Sequence, residues 1–345
     1  MREEPEARAP IPAAAMTDTT MRSKSPGSKS PSPHESGGNI GRSSSPGSTF
    51  KWRVPKEGRE LRLDKAVSAH LLVPLEEAAL LVDFGSVYVQ GRIERAPSRN
   101  LAGGEEITVN LPPYGVRKFY EVDPARFFFR DGFLLAYDKE AGTPSQQTPY
   151  DAYNNIFAGL QRYLEREKHK NSYVALHHRL DRETSGVMLF ALDRKANLGL
   201  SRIFQEGHVG KEYLAWVTGS PEKESWTVDL EIAKAGGTYR AVGSGAGKKA
   251  KTIFRVLHRG DGRSLLLATP LTGRTHQIRI HLAAGGHPVV GDRAYGAKPD
   301  RRLYLHALRL SLRHPVLGTA LTLEAPAPPD WSLPPDLKCL PEQSS

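Results

Sequence analysis

Cysteine is almost absent from this chain, because Cys339 is the only one among its 345 residues. An internal disulfide framework and a cysteine-rich zinc or iron–sulfur centre are therefore excluded. Apolar runs long enough for a membrane-spanning helix are missing too. The first residues hold no apolar signal-peptide core, and the glutamates at positions 3, 4 and 6 are untypical of an organelle transit peptide. We therefore expect a protein of the reducing cytoplasm.

Hydrophobic periodicity is lacking in the first fifty residues. Ten serines lie between Ser23 and Ser48, with prolines among them. Such a composition buries too little apolar surface to fold, so a disordered tail is predicted over residues 1–50. This tail carries only one of the ten net positive charges of the chain. The remaining part is therefore strongly basic, as expected of a protein that binds a polyanion.

A small domain is predicted over residues 51–115. Two short helical patterns, at residues 61–72 and 73–84, precede an alternating pattern that is typical of strands. This order resembles an S4-like RNA-binding domain, whose motif begins Arg-Leu-Asp-Lys, here at residues 62–65. The resemblance implies that Arg62 and Lys65 contact RNA. The alternative is an ordinary helical cap followed by a hairpin.

The larger part of the chain, residues 116–335, mixes strand-like and helical periods. Strands are predicted over residues 133–139, 186–192 and 212–217, and helices over about 150–168 and over 194–205. These patterns do not repeat as regular βαβ units. The predicted fold class is therefore α+β, with a mixed, largely antiparallel β-sheet and flanking helices. Residues 336–345 are predicted to form a C-terminal tail.

The string HHRLDRETSGVMLFA at residues 177–191 offers a carboxylate in a loop between two predicted strands. Arg179 and Arg182 flank Asp181, and nearby guanidinium groups favour an ionised carboxylate. An isolated aspartate in a loop is more often a turn cap or the partner of a surface arginine. Asp181 becomes a catalytic candidate only through the sequence around it.

That surrounding sequence matches the HRLDxxTSG signature of the RluA-type RNA pseudouridine synthases. Three further blocks resemble the same family and follow in its order: KEYLAWVTG at 211–219, TGRTHQIRIHLAAGGHPVVGD at 272–292 and LHALRLSLRHP at 305–315. The resemblance covers roughly residues 60–335. One departure is Glu140, which stands where the family usually has the proline of a Lys-Pro-x-Gly motif.

The resemblance implies an RNA uridine isomerase with three catalytic residues. Asp181 resembles the catalytic aspartate, Tyr213 the tyrosine that stacks on the uracil and helps to move a proton, and Arg274 the cation that pairs with the aspartate. The reaction breaks the N1–C1′ bond of uridine and forms a C5–C1′ bond. An aspartate can either attack carbon or remove the 2′ hydrogen, and the sequence leaves both routes open. Neither route implies a metal or another cofactor.

A uridine stacked in an RNA helix must be extruded before such an enzyme can act on it. Arg179 resembles the family residue that inserts where the base leaves, and His178 stands beside it. For Arg179 a simple phosphate contact is the alternative. Lys211, in the Lys-x-Tyr motif, is a further candidate for RNA binding. The expected partner is RNA, without a membrane, and the protein is expected to be a monomer with no obligate protein partner.

The identity of the RNA is open from sequence. Large-subunit ribosomal RNA is favoured because an S4-like domain suits bulky folded RNA, and transfer RNA is the alternative. Two other functions compete with isomerisation. One is a catalytically silent RNA-binding or ribosome-assembly protein on the same scaffold, and the other is a hydrolase that releases uracil.

Two further patterns are weak. His276 and His281, on a helix predicted to begin at Thr275, would lie about 140 degrees apart, so they do not form a two-histidine metal site. GSGAGKK at residues 243–249 lacks the serine or threonine that completes a phosphate-binding loop. We interpret it as the basic tip of a hairpin.

Overall fold

The computed structural model describes residues 47–56, 61–113, 115–167 and 173–334. Most of the predicted N-terminal tail, the C-terminal tail and Cys339 lie outside these ranges. The helices are α1 (Leu63–Leu71), α2 (Leu75–Phe84), α3 (Ile156–Arg166), α4 (Arg194–Gln205) and α5 (Gln277–Ala284). The strands are β1 (Thr49–Arg53), β2 (Leu61–Arg62), β3 (Val87–Val89), β4 (Arg92–Ile93), β5 (Asn100–Leu101), β6 (Glu106–Asn110), β7 (Phe127–Arg130), β8 (Leu134–Lys139), β9 (Ala175–Leu176), β10 (Ser185–Ala191), β11 (Gly210–Thr218), β12 (Ser225–Ala235), β13 (Thr238–Val242), β14 (Lys248–Gly260), β15 (Arg263–Pro270), β16 (Leu305–Arg313) and β17 (Ala320–Glu324).

The elements from β1 to β6 form a small unit, here called the N-terminal module (Thr49–Asn110). Four of its strands pair in the order β1-β6-β3-β4, and β2 pairs with β5 in a separate two-stranded sheet. Apolar residues of α1 and α2 pack with those of the sheet in one core that includes Leu63, Val82 and Ile107. The strand β1 begins at Thr49, so the predicted boundary between residues 50 and 51 falls inside a strand.

The remaining strands build one large sheet in the order β13-β12-β14-β15-β11-β16-β10-β8-β7, with β17 beside β16 and β9 beside β10. Among the described strands only β10 and β16 pair in parallel. The predicted α+β class with a largely antiparallel sheet is confirmed.

Alternating side chains of β8 and β10 supply two separate cores. On one face Tyr137 and Phe190 pack against α3, and on the other Ala136 and Leu189 pack in the core that contains residues of α4. Because helices cover both faces, every residue of β10 is buried. The strand therefore reads as a continuous apolar run, and the loop before it is held at a rigid sheet end.

Two predicted helix boundaries are wrong. The helix predicted from residue 150 begins at Ile156, because the Asn155 side chain accepts the Ala158 N–H and caps it there. The helix predicted to begin at Thr275 begins at Gln277, after His276, which adopts a left-handed conformation with φ of 56°. The helix α4 has the predicted limits.

Candidate active site

The loop that carries Asp181 is held by Lys139, the last residue of β8. The ammonium of Lys139 is fully buried and donates to the carbonyl oxygens of Glu140 at 2.7 Å, Arg182 at 2.9 Å and Thr184 at 2.8 Å. Burial lowers the pKa of Lys139 to about 7. Three carbonyl acceptors nevertheless match the three protons of the charged form, so we assign the ammonium state. Sequence analysis did not identify Lys139.

A second support holds the loop one residue before Asp181. The Ser145 hydroxyl donates to the Leu180 carbonyl at 2.8 Å and accepts the Leu180 N–H at 3.0 Å. After the loop, Gly186 has a φ of 113°, and a Cβ there would lie 2.1 Å from the Ala307 carbonyl oxygen. Only glycine fits where β10 approaches β16, which explains the glycine of the HRLDxxTSG string.

The cation paired with Asp181 is Arg279. Its Nη1 donates to Asp181 Oδ2 at 3.1 Å, while Nε and Nη2 donate to the two carboxylate oxygens of Asp292 at 2.6 and 2.7 Å. The Asp292 side chain is completely buried. Although burial opposes it, hydrogen bonding and charge interaction with Asp292 and Asp181 raise the pKa of Arg279. The guanidinium therefore stays charged and is aimed at Asp181.

The prediction that Arg274 pairs with Asp181 is wrong. Arg274 is exposed, and its Nε donates to the Lys249 carbonyl oxygen at 3.0 Å. Because α5 begins only at Gln277, Arg274 lies in the preceding loop at the cavity wall, whereas Arg279 lies in the first turn of the helix. Both arginines belong to the same TGRTHQIR block, so the sequence signal for Arg279 was present.

His276 stands beside this pair. Its Nε2 lies 3.8 Å from Asp181 Oδ1, and its Nδ1 is 2.8 Å from the Tyr295 hydroxyl. Burial, reinforced by the charge of Arg279 and opposed by Asp181, lowers the pKa of His276, so the ring is neutral at neutral pH. His281 instead contacts Thr252 Oγ1 at 3.0 Å. The two histidines therefore do not share a site.

Tyr213 projects from β11 into the same cavity, which has a volume of about 870 Å³. Burial, together with the negative charge of Asp181, raises the pKa of Tyr213, so the phenol stays protonated. Lys211 lies two residues earlier and lines the cavity as well. Arg179 is exposed at the cavity wall and forms no hydrogen bond or ion pair within the described residues.

His178 lines the cavity and also braces the loop, and its contact with RNA stays a prediction. Its Nε2 accepts the Leu189 N–H at 2.9 Å, and its ring stacks on Phe204 with centroids 5.3 Å apart. Burial, aided by the charges of Lys211 and His177, lowers the pKa of His178 to about 3. The ring is therefore neutral and offers no cation to a phosphate.

The two predicted RNA contacts of the N-terminal module lie at the start of α1, outside the cavity. Arg62 donates to both oxygens of the buried Asp64, at 3.1 and 2.6 Å, whereas the Lys65 ammonium is exposed and unpaired within the described part. The module packs on the rim of the cavity, because Ser86 Oγ donates at 2.8 Å to the carbonyl of Tyr150, a cavity residue.

The described residues contain no group of three or more side chains suited to a metal ion. They also contain no helix that is both long and apolar enough to cross a membrane. The cavity combines the Asp181 carboxylate, which is paired with Arg279, with the protonated phenol of Tyr213. It also holds the cations of Lys211 and Arg179, which form no ion pair within the described residues. Such a set suits chemistry at a carbon or hydrogen of an anionic substrate.

A family model described as RNA pseudouridylate synthase matches residues 134–284. Ribosomal large subunit pseudouridine synthase C of Yersinia pestis is 31% identical over 290 residues, which are 77% of this chain and 88% of that protein. Ribosomal large subunit pseudouridine synthase D of Nitrosomonas europaea is 31% identical over 309 residues, covering 82% and 86% respectively. The solved structure of human RNA pseudouridylate synthase domain containing 4 has a TM-score of 0.51 at 26% identity, over 59% of this chain and 89% of that one.

These similarities show the family of the chain. The chain belongs to the RNA pseudouridine synthases of the RluA type. It is therefore an RNA isomerase.

Proposed function

We propose that the enzyme isomerises specific uridines of structured RNA with Asp181 as the essential carboxylate. The observation that carries this assignment is the bond from Arg279 Nη1 to Asp181 Oδ2, made by a guanidinium that Asp292 holds through its other two donors. An anion fixed in this way keeps its position and charge while a nucleotide enters the cavity. Preorganised charge of this kind lowers the cost of reorganisation during reaction.

The reaction breaks N1–C1′ and forms C5–C1′, and the hydrogen at C5 leaves while N1 gains one, so the mass is conserved. Asp181 acts at the ribose, either by attacking C1′ or by removing the 2′ hydrogen. Tyr213, a protonated phenol beside Asp181, is suited to stack on the uracil and to donate rather than accept a proton. Arg279 keeps its charge throughout and stabilises the carboxylate.

The unpaired cations are suited to hold the RNA. Arg179 lies exposed at the cavity wall, and we assign to it the position left by the extruded base. The N-terminal module is assigned as an S4-like RNA-binding domain. Lys65 is its main proposed RNA contact, because the Arg62 guanidinium already donates to Asp64. Because the module packs on the cavity rim, RNA bound there would be delivered to Asp181.

Large-subunit ribosomal RNA is the proposed substrate, since two relatives bear ribosomal large subunit names. Transfer RNA is the alternative. The test is to map pseudouridines across the transcriptome in cells that carry wild-type protein, Asp181→Asn protein or no protein. Sites lost in both mutant strains support the proposal and identify the RNA.

The same experiment separates the competing functions. Sites that persist with Asp181→Asn but vanish without the protein would contradict the role of Asp181. Unchanged sites in both strains would favour a silent RNA-binding protein. Released uracil in a reaction with purified protein would favour a hydrolase.

A further inference from the structure

The ammonium of Lys211 is a half-buried cation in the cavity wall that has no acidic partner among the described residues. Lys211 and Tyr213 both line the cavity from alternate positions of β11. The Lys211 Nζ lies 5.4 Å from the centroid of the Phe204 ring. It forms neither a hydrogen bond nor an ion pair with any residue in the part of the chain that the structure describes.

Among the residues that the structure describes, no carboxylate forms an ion pair with Lys211. Phe204 and the neutral His178 ring lie on one side, and a Cβ added at Gly273 would lie only 3.8 Å from Nζ, so bare backbone lies on another. Asp181 and Asp292 both bind Arg279. Burial lowers the pKa of Lys211, and the Phe204 ring offers the cation only a weak attraction. An unpaired cation in a cleft is costly to the protein alone and indicates a ligand.

We propose that Lys211 binds a backbone phosphate of the RNA beside the extruded uridine, and so forms an anion subsite next to the catalytic one. This proposal rests on the assignment of the Asp181 cavity as the active site. A phosphate can neutralise the ammonium and accept hydrogen bonds from several of its N–H groups, whereas a uracil carbonyl leaves the charge uncompensated. Lys211 would then place the strand so that the base reaches Tyr213.

The test measures RNA affinity as a function of salt in an Asp181→Asn background. The probe is a short RNA fragment that carries a uridine identified by mapping. Replacing Lys211 by Met should weaken binding about tenfold and should shallow the slope of log affinity against log salt by about 0.7 to 0.9. Lys211→Arg should keep most of the slope. Lys223→Met is the control, because Lys223 is exposed beyond the opposite end of β11.

A second probe localises the phosphate. The same fragment is made with one neutral methylphosphonate, placed either before or after the uridine. At one of these positions the uncharged linkage should weaken binding to the protein with Lys211 but should add no loss with Lys211→Met. A thermal unfolding curve for Lys211→Met that matches the parent protein shows that folding is intact.

Two results would overturn the subsite. One is an unchanged salt slope with Lys211→Met, and the other is full additivity of Lys211→Met with both methylphosphonates. The proposed catalytic role of Asp181 fails separately, if Asp181→Asn protein still converts the fragment. Affinity and turnover are different measurements, so the two failures are distinguishable.

Discussion

Removing the guanidinium of Arg279 should damage both stability and catalysis, because one side chain serves two carboxylates. In Arg279→Met the fully buried Asp292 loses two hydrogen bonds, of 2.6 and 2.7 Å, and becomes an uncompensated buried charge. Breaking a buried pair by removing one partner costs about 3–5 kcal/mol. Asp181 loses its 3.1 Å bond at the same time. We expect equilibrium denaturation to show a loss of this size and single-turnover isomerisation to fall by at least about 100-fold.

Arg279→Lys tests whether the positive charge is sufficient without the geometry of the guanidinium. Lysine keeps a cation but cannot make the paired contact with Asp292 while also reaching Asp181. We expect a smaller loss of stability than in Arg279→Met and a rate that remains strongly reduced. Arg274→Met is the matched control for stability: the Arg274 side chain is exposed and, within the described residues, donates only to the Lys249 carbonyl, so its loss should cost less than about 1 kcal/mol.

A second-site change tests the electrostatic cause. Asp292→Asn removes the buried negative charge that Arg279→Met leaves without a partner. In the Arg279→Met background it should therefore restore part of the lost stability. The double-mutant cycle should therefore be clearly non-additive. Additive effects, or an Arg274→Met variant that is as destabilised as Arg279→Met, would refute the assignment of Arg279 as the partner of Asp181.

Local periodicity was sufficient for the parts of the fold that depend on neighbouring residues. The helix α4 has its predicted limits, and the Asp193 side chain caps its first turn. The helix α3 was predicted six residues too early, because residues 150–155 contain apolar side chains that continue its pattern. Only the Asn155 cap and the turn around Asp151 show that the chain is not yet helical there.

Some residues of the site can be identified from the sequence, and others only from the fold. The motif strings place Asp181 and Tyr213 at one cavity, but the choice between Arg274 and Arg279 depends on where α5 begins. His178 and Arg179 both line the cavity, and only the fold shows that the former accepts the Leu189 N–H while the latter is exposed. Lys139 acts on carbonyl oxygens 43 and 45 residues away, which no local spacing indicates.

Three further predictions follow from individual groups. Asp181→Asn should abolish isomerisation in a pseudouridine assay and leave RNA affinity nearly unchanged, because the amide is almost isosteric; turnover near the wild-type rate would contradict it. Lys65→Met should shallow the salt dependence of RNA binding by about 0.7 to 0.9, and an unchanged slope would remove Lys65 from the RNA contacts. The last concerns acid stability. Burial lowers the pKa of His178 to about 3 and, aided by Arg302, that of His306 to about 4. In the unfolded chain both imidazoles have a pKa of about 6.5. Below that pH the unfolded state therefore binds more protons than the folded state. The free energy of unfolding consequently falls as the pH drops from about 6.5 towards 4. The neutral His306 is held between Ser185 Oγ at 2.9 Å and the Ala325 carbonyl at 3.2 Å, and no carboxylate in the described ranges bonds to it. Denaturation at several pH values checks this, with His306→Gln expected to flatten the dependence in that window; stability that rises towards acid would contradict the neutral assignment.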